Sequence, residues 1–442
     1  MARIVHIGAG SAGFGKRFLA DVLTRPSLRD ATLVLMDVNR DNLDVMAGLA
    51  RRLKEQLDSP LRVEATTDRR RALDGADYVI ITIVSNGFGP RRREVEIPRK
   101  YGLDHSVGCT SGPSGIFRGL RYVPVLLEIC RDVRELCPDA LILDYSNPTS
   151  IVPWAITRAT GTRFIGLCHS VQHTAMTLAG YLGVPYEETG HWVAGINHQA
   201  WFLRFEWRGQ DAYPLLREKM ADPAIRAQDM VRFEMMDFFG YFLTESSYHN
   251  AEYVPYFRRS AELIERWTPP IGGWAQGPIE RHEESAGRRR ESLRREAGGD
   301  GPIQIEPGHE YCISIVDAIE SNVPTRINAN VPNSGLITNL PAGSCVEVPC
   351  LVDNMGIHPC YVGDLPPQCA AVNRARQNQD ELAMRGALEG DRRAVEQAVA
   401  LDPLTASVCT LEQIRAMVAE LFEADRPYLP QFAPLAPTSL AT

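Results

Sequence analysis

The chain has 442 residues, 44% of them hydrophobic and 23% charged, and a net charge of −8. This is an ordinary globular composition with enough apolar residues for a large core, and the length suits two or three domains. The acidic balance argues against nucleic acid as the main partner, no apolar run is long enough to span a bilayer, and nothing resembles a secretory signal.

Ten cysteines lie scattered without framework spacing. They read as reduced thiols, which places the protein in the cytoplasm. The one basic run, 288–295, is interleaved with Glu and reads as a solvated helix face.

Residues 3–8 form a short apolar strand, Gly8-Ala9-Gly10-Ser11-Ala12-Gly13 follows at once, and a helix pattern covers 14–23. This is G-x-G-x-x-G in the strand–turn–helix context that a dinucleotide fingerprint needs. Gly8 permits the tight turn, Gly10 lets the pyrophosphate approach the backbone, and Gly13 lets the helix pack on the sheet. The helix N-terminus then faces the phosphates. A second strand, 32–36, ends in Asp37. A carboxylate there accepts hydrogen bonds from the ribose hydroxyls and repels a 2′-phosphate, favouring NAD over NADP.

The alternation continues with a helix at 41–56 and a buried parallel strand at 76–83. Gly87, Gly89 and Pro90 suggest a flexible segment before Arg91-Arg92-Arg93-Glu94. A helix at 120–137 leads to a strand at 140–145 that ends in Ser146-Asn147-Pro148, and a strand at 163–167 closes with Cys168-His169. Ligands bind at the carboxyl ends of strands in an open parallel sheet, so Thr82, Asn147 and Cys168 should converge near the nicotinamide. By itself the Cys-His pair is either a metal ligand beside a proton-transfer group or a buried inert thiol beside a surface imidazole.

Beyond residue 174 the alternation fades. A second imidazole, His198, sits in 195–201 between apolar stretches, and helix is expected at 223–239. A polar-aromatic segment at 240–253 precedes a charged helix at 280–299 with a mobile end at Gly298-Gly299. Irregular strands are expected over 331–367 and amphipathic helix over 372–422, while the tail after Tyr428 carries too much Pro and Ser to order. The chain divides into a Rossmann-like domain, 1–173, and a mixed α+β domain, 174–442, which completes the site and the oligomer interface.

Several motifs occur in one order: Gly8 to Gly13, Gly112-Pro113-Ser114-Gly115-Ile116-Phe117-Arg118, Tyr145-Ser146-Asn147-Pro148 and Cys168-His169-Ser170-Val171. Gly195-Ile196-Asn197-His198, Asn333-Ser334-Gly335-Leu336-Ile337 and Val346-Glu347-Val348-Pro349 follow. Their order resembles that of glycoside hydrolase family 4 over nearly the whole chain, and Cys-His-Ser-Val is similar to its α-galactosidase group. The resemblance implies a lactate/malate-dehydrogenase-type N-terminal domain and an unusual hydrolysis. NAD oxidises the sugar at C3, a base removes the C2 proton, the aglycone leaves C1, water adds to the enone, and NADH returns its hydride. Such enzymes are exceptions to the two-carboxylate mechanism. A divalent metal, Mn²⁺, chelates the 2- and 3-oxygens as a Lewis acid.

Carried over by position, Cys168 and His198 are the implied metal ligands. His169 is the implied general acid, or alternatively only a hydrogen-bonding partner of the galactosyl hydroxyls. Tyr253 is the implied C2 base, with His249 and a metal-bound hydroxide as rivals. Asn147 and Arg91 would contact the sugar, and Ser170 marks galactose. One departure stands out: Cys109 occupies a position that is normally acidic, and Ser114 one that is usually Gly. A thiol removes negative charge near the metal, so Cys109 either serves as a softer partner or marks a pocket retuned for another α-linked sugar. An α-galactosidase is thus the leading expectation, with an α-galacturonide or α-glucuronide as alternative substrates. A lactate/malate-type dehydrogenase and a non-catalytic NAD- or sugar-binding regulator are more remote. The expected assembly is a homodimer or homotetramer acting on a small α-glycoside.

Overall fold

The computed structural model describes residues 1–268, 278–299, 301–305, 308 and 310–433. Six parallel strands, β1 (Arg3–Ile7), β2 (Thr32–Met36), β3 (Arg62–Thr66), β4 (Tyr78–Ile81), β5 (Leu141–Asp144) and β6 (Phe164–Gly166), lie in the order β3-β2-β1-β4-β5-β6. Six more follow: β7 (Thr189–Ile196), β8 (Gln199–Trp207), β9 (Gln210–Asp211), β10 (Thr325–Pro332), β11 (Cys345–Asp353) and β12 (Gly356–Pro359). They extend the same sheet antiparallel from β6, in the order β10-β11-β7-β8-β9, with β12 on β11.

The central strands read as unbroken apolar runs because both of their faces are covered. Alternate residues feed two cores. Ile4, Leu33, Leu35 and Ile80 join the helices Gly15–Thr24 and Arg40–Gln56. Val5, Val34, Val79 and Ile142 join the helix Gly112–Leu136 and the C-terminal helices.

Several boundaries differ from the expected ones. Strand β3, absent from the sequence reading, is the sheet edge, and its exposed Arg62 and Glu64 hide the strand pattern. The segment expected to be flexible at 87–90 instead opens a helix, Phe88–Arg99, which carries Arg91 to Glu94. The helix expected from 120 begins at Gly112, because Pro113 fits a first turn whose N–H groups have no intrahelical partner. The helical stretches expected at 223–239 are Pro223–Arg226 and Met230–Phe239. The 372–422 region is part of four helices, Pro367–Glu389, Arg392–Leu401, Pro403–Val408 and Leu411–Asp425.

The charged helix is Pro278–Gly298, and its end is tied rather than free. Arg52 donates to the carbonyls of Glu296 and Gly301, and Gln56 exchanges hydrogen bonds with Ile303 at 2.9 and 2.8 Å. The chain stays ordered past Tyr428 through a turn at Pro430–Phe432, where Gln431 donates to the Leu120 carbonyl at 2.8 Å. The rest of the expected disordered tail, 434–442, lies outside the described residues.

Candidate metal and dinucleotide site

The glycine loop closes the end of β1. Gly8 has φ +87°, and a Cβ on it would lie 2.8 Å from the Thr82 carbonyl oxygen. The Gly8 and Ala9 amides donate to Met36 O at 2.9 and 3.1 Å. The Gly10 amide donates to Asp37 Oδ2 at 2.8 Å, and a Cβ on Gly10 would meet Asn42 Cβ at 2.6 Å. Asp37 therefore stands beside the loop, at the end of β2. Gly13 departs from its expected part, because a Cβ there would meet nothing within 4 Å. Gly15 makes the close helix approach instead, against Met46. Outside the loop lies a cleft of about 240 Å³, lined by Gly13, Lys16 and Arg17 on one side and Arg289, Ser292 and Glu296 on the other. A Lys16–Glu296 ion pair of 2.7 Å ties the two sides.

Cys168 and His198, thirty residues apart, come together with Glu245, and one ligand atom from each lies within 4.8 Å of the others. Cys168 follows β6, and His198 is the second residue of the tight β7–β8 turn. Both His198 and Glu245 hold left-handed backbone conformations, at φ +62° and +73°. Such strain in non-glycine residues gathers where side chains must be aimed. Burial drives the His198 pKa down to about 3, so the imidazole is neutral. Its Nδ1 meets Thr110 Oγ1 at 3.1 Å and the Tyr253 hydroxyl at 3.2 Å, leaving Nε2 toward Glu245 at 3.9 Å. A neutral imidazole held from behind, a thiol and a carboxylate form a donor set that fits a divalent metal.

Burial alone would raise the Glu245 carboxyl, but His249, His198 and His169 hold it at about 2. His249 Nδ1 lies 3.1 Å from Glu245 Oε1 and 2.9 Å from Ser246 Oγ, and Nε2 lies 3.7 Å from Cys109 Sγ. Burial opposes its charge, yet Glu245 and Cys109 raise its pKa to about 9. Burial also works to raise the Cys109 thiol, but the hydrogen bond with His249 and the charges of His249, Arg118 and Arg91 bring it below the usual range. Arg91 and Arg118 each keep a buried Nε without a partner among the described residues.

Tyr253, the expected base, is buried behind His198, with the Arg376 guanidinium 4.4 Å from its ring centroid. Burial drives its pKa well above the ordinary phenol value despite Arg376. His169 is half-exposed, with Nδ1 3.5 Å from Glu310 Oε1. Burial lowers its pKa, but Glu310 outweighs this and raises it. Ser170 is buried at the start of the helix Ser170–Leu182, and its hydroxyl acts on the Cys168 thiol. Asn147 lies at the end of β5 and accepts from Thr149 Oγ1 at 3.1 Å.

Glu245 is the member of this set that the sequence does not point to. A glutamate in a polar-aromatic segment carries no mark in one sequence, and its aim comes from a backbone angle. Glu347 is fully buried in β11, and its carboxyl makes no close hydrogen bond among the described residues.

Comparison with known proteins follows the same lines. A family model described as "Family 4 glycosyl hydrolase" matches residues 3–184, and one described as "Family 4 glycosyl hydrolase C-terminal domain" matches 193–405. An alpha-galactosidase of Bacillus subtilis (strain 168) is 38% identical over 436 residues, 98% of this chain and 100% of that protein. One of Rhizobium meliloti (strain 1021) is 36% identical, over 98% and 90%. An alpha-galacturonidase of Lachnoclostridium phytofermentans is 25% identical, over 97% of each.

Among solved structures, the putative glucosidase lplD of Bacillus subtilis has TM-score 0.86 at 24% identity, over 95% of this chain and 99% of that one. A 6-phospho-alpha-glucosidase from gut microorganisms, in complex with NAD and Mn²⁺, has TM-score 0.82 at 22% identity, over 98% and 100%. Malate dehydrogenase from Plasmodium falciparum has TM-score 0.52 at 13% identity, over 88% and 98%, a likeness of fold alone. The motif order, the shared fold and relatives matched along their whole length agree: this chain belongs to family 4 of the glycosyl hydrolases.

Proposed function

We propose that the protein is an NAD- and Mn²⁺-dependent α-galactosidase, with residues 1–173 holding the dinucleotide and 174–442 completing the metal and substrate site. The convergence of Cys168, His198 and Glu245 carries the metal part of this reading, and the two alpha-galactosidase relatives support the substrate. When bound, NAD supplies a hydride acceptor and the metal a Lewis acid at the sugar oxygens.

The protein's own groups have separable tasks. The glycine loop and Asp37 seat the dinucleotide, and Cys168, His198 and Glu245 hold the metal. Asn147 and Arg91 orient the sugar, and Ser170 supports Cys168. Glu310 raises the His169 pKa against the effect of burial, which favours this imidazole as the donor to the departing glycosidic oxygen. Tyr253 orients His198 through Nδ1. Against burial, Glu245 and Cys109 raise the His249 pKa to about 9, so this imidazole would take the C2 proton, from the Glu245 and Cys109 side, only once a metal on Glu245 has offset that charge.

A panel of p-nitrophenyl α- and β-glycosides, with NAD, Mn²⁺ and reductant each omitted in turn, tests the reading. Hydrolysis of the α-galactoside should require all three and should place deuterium at C2 in D₂O. Turnover without NAD, or product free of deuterium at C2, would refute it. The unpartnered Arg91 and Arg118 nitrogens favour a second reading, an acidic α-galacturonide, and the same panel decides by preference for the uronide. A dehydrogenase of hydroxy acids has no use for the thiol–imidazole–carboxylate set.

We also propose a cytoplasmic homodimer or homotetramer. Ten free cysteines support the compartment, and the exposed Leu351, Met355, Tyr361 and Val323 support a subunit contact. No described helix is long and apolar enough to cross a membrane.

A further inference from the structure

One row of residues runs across four strands: Gly166 of β6, Asn330 of β10, Glu347 of β11 and Gly195 of β7. Residues opposite one another in a sheet present their side chains to the same face. The row ends in glycines, and each lies just before a candidate ligand, Gly166 two residues before Cys168 and Gly195 three before His198. Neither glycine has room for a side chain. A Cβ on Gly166 would meet Pro153 Cγ at 2.6 Å, and one on Gly195 would meet Ala200 Cα at 2.8 Å. The inner pair, Asn330 and Glu347, therefore forms the floor between the two ligand-bearing turns.

Asn330 is engaged, donating to the Gly166 carbonyl at 3.3 Å. Glu347 is held more loosely: it is fully buried, its oxygens make no close hydrogen bond among the described residues, and the polar group that acts on it is the Asn197 side chain, next to His198. A fully buried carboxyl held only loosely is costly to a fold, so its position between the two turns calls for a function.

We propose that Glu347 is a positioning residue of the metal site, whose carboxylate beneath Cys168 and Asn197 strengthens the hold on a divalent cation from outside the set Cys168, His198 and Glu245. This rests on the metal-site reading above. A bound cation favours the ionised form of a nearby carboxyl, so with the metal in place Glu347 would add negative charge beneath the thiolate and orient the Asn197 amide, as groups behind metal ligands do elsewhere.

The test is Mn²⁺ binding to the full-length protein by electron paramagnetic resonance, with NAD affinity and Tm measured alongside. Glu347→Gln should weaken Mn²⁺ by roughly 10–100-fold, leave NAD affinity unchanged, and keep the thiolate–Co²⁺ charge-transfer band, because Cys168 remains a ligand. Glu347→Asp should recover most of the loss. Wild-type Mn²⁺ affinity in Glu347→Gln, a parallel loss of NAD binding, or disappearance of the Co²⁺ band would overturn the proposal. Cys168→Ser separates the two levels of inference. If it binds Mn²⁺ as wild type does, the metal-site reading itself falls. If it loses Mn²⁺ while Glu347→Gln does not, only the role of Glu347 falls.

Discussion

The three glycines of the loop make unequal demands. Gly8 is pinned by φ +87° and a backbone oxygen, whereas Gly13 faces open space. Gly8→Ala should therefore lower Tm and abolish NAD binding, since the strain falls on backbone that cannot move aside. Gly13→Ala should leave folding stability within about 0.5 kcal/mol of wild type, with little change in Tm, while weakening NAD, because only the bound pyrophosphate needs that space. Equal Tm losses in both variants would count against this distinction.

The tyrosine and histidine near the metal trio are separable in the same way. With Tyr253 supporting His198, Tyr253→Phe should reduce kcat about 10-fold and weaken metal binding in step. His249→Gln should lower kcat by about 10²–10⁴-fold and slow deuterium entry at C2. The reverse ranking would restore the phenol as the base. Cys109 extends this chain outward, and no single sequence could show that its thiol would face an imidazole from residue 249.

Between elements, the helix Leu411–Asp425 is locked to Phe88–Arg99 through buried charge. Arg121 from the helix Gly112–Leu136 binds Glu94 at 2.5 and 3.0 Å and lies 3.8 Å from Asp425, while Arg93 reaches Asp425 at 3.4 Å. Burial and the Glu94 charge raise the Asp425 pKa to about 7. The native state thus holds this proton more tightly than the unfolded chain. Its contribution to stability is fully present below the unfolded value of 3.8 and is lost as pH rises to about 7. Wild-type Tm should fall between pH 5 and pH 8, and Asp425→Asn, which cannot ionise, should flatten that fall. Thermal melts at the two pH values read this directly, and parallel slopes in both proteins would exclude Asp425 as the source. Because Phe88–Arg99 carries Arg91, the lock also fixes one wall of the proposed sugar site.

Across the whole molecule, one sheet passes from the dinucleotide half into the antiparallel half through the β6–β10 pairing, and Cys168 and His198 come from opposite sides of that junction. Unfolding should therefore be a single event. Buried Trp154 reports on the parallel half and Trp201 on the other, so single-tryptophan variants retaining one or the other should show coincident urea transitions. Two separated transitions would mean that the halves unfold independently.

The sequence by itself determined the parallel half, the loop Gly8 to Gly13 with Asp37, and the family. Its signals are local: an apolar run, a glycine spacing, a carboxylate at a strand end. Strand β3 and the start of the helix at Gly112 escaped because an edge strand is half polar and a Gly-Pro opening reads as loop. Only the tertiary structure decided that Glu245 joins Cys168 and His198, that Tyr253 stands behind His198, and that Glu347 lies beneath both ligand turns. Those relations depend on strand register and on two left-handed residues, His198 and Glu245, and no spacing along the chain encodes either.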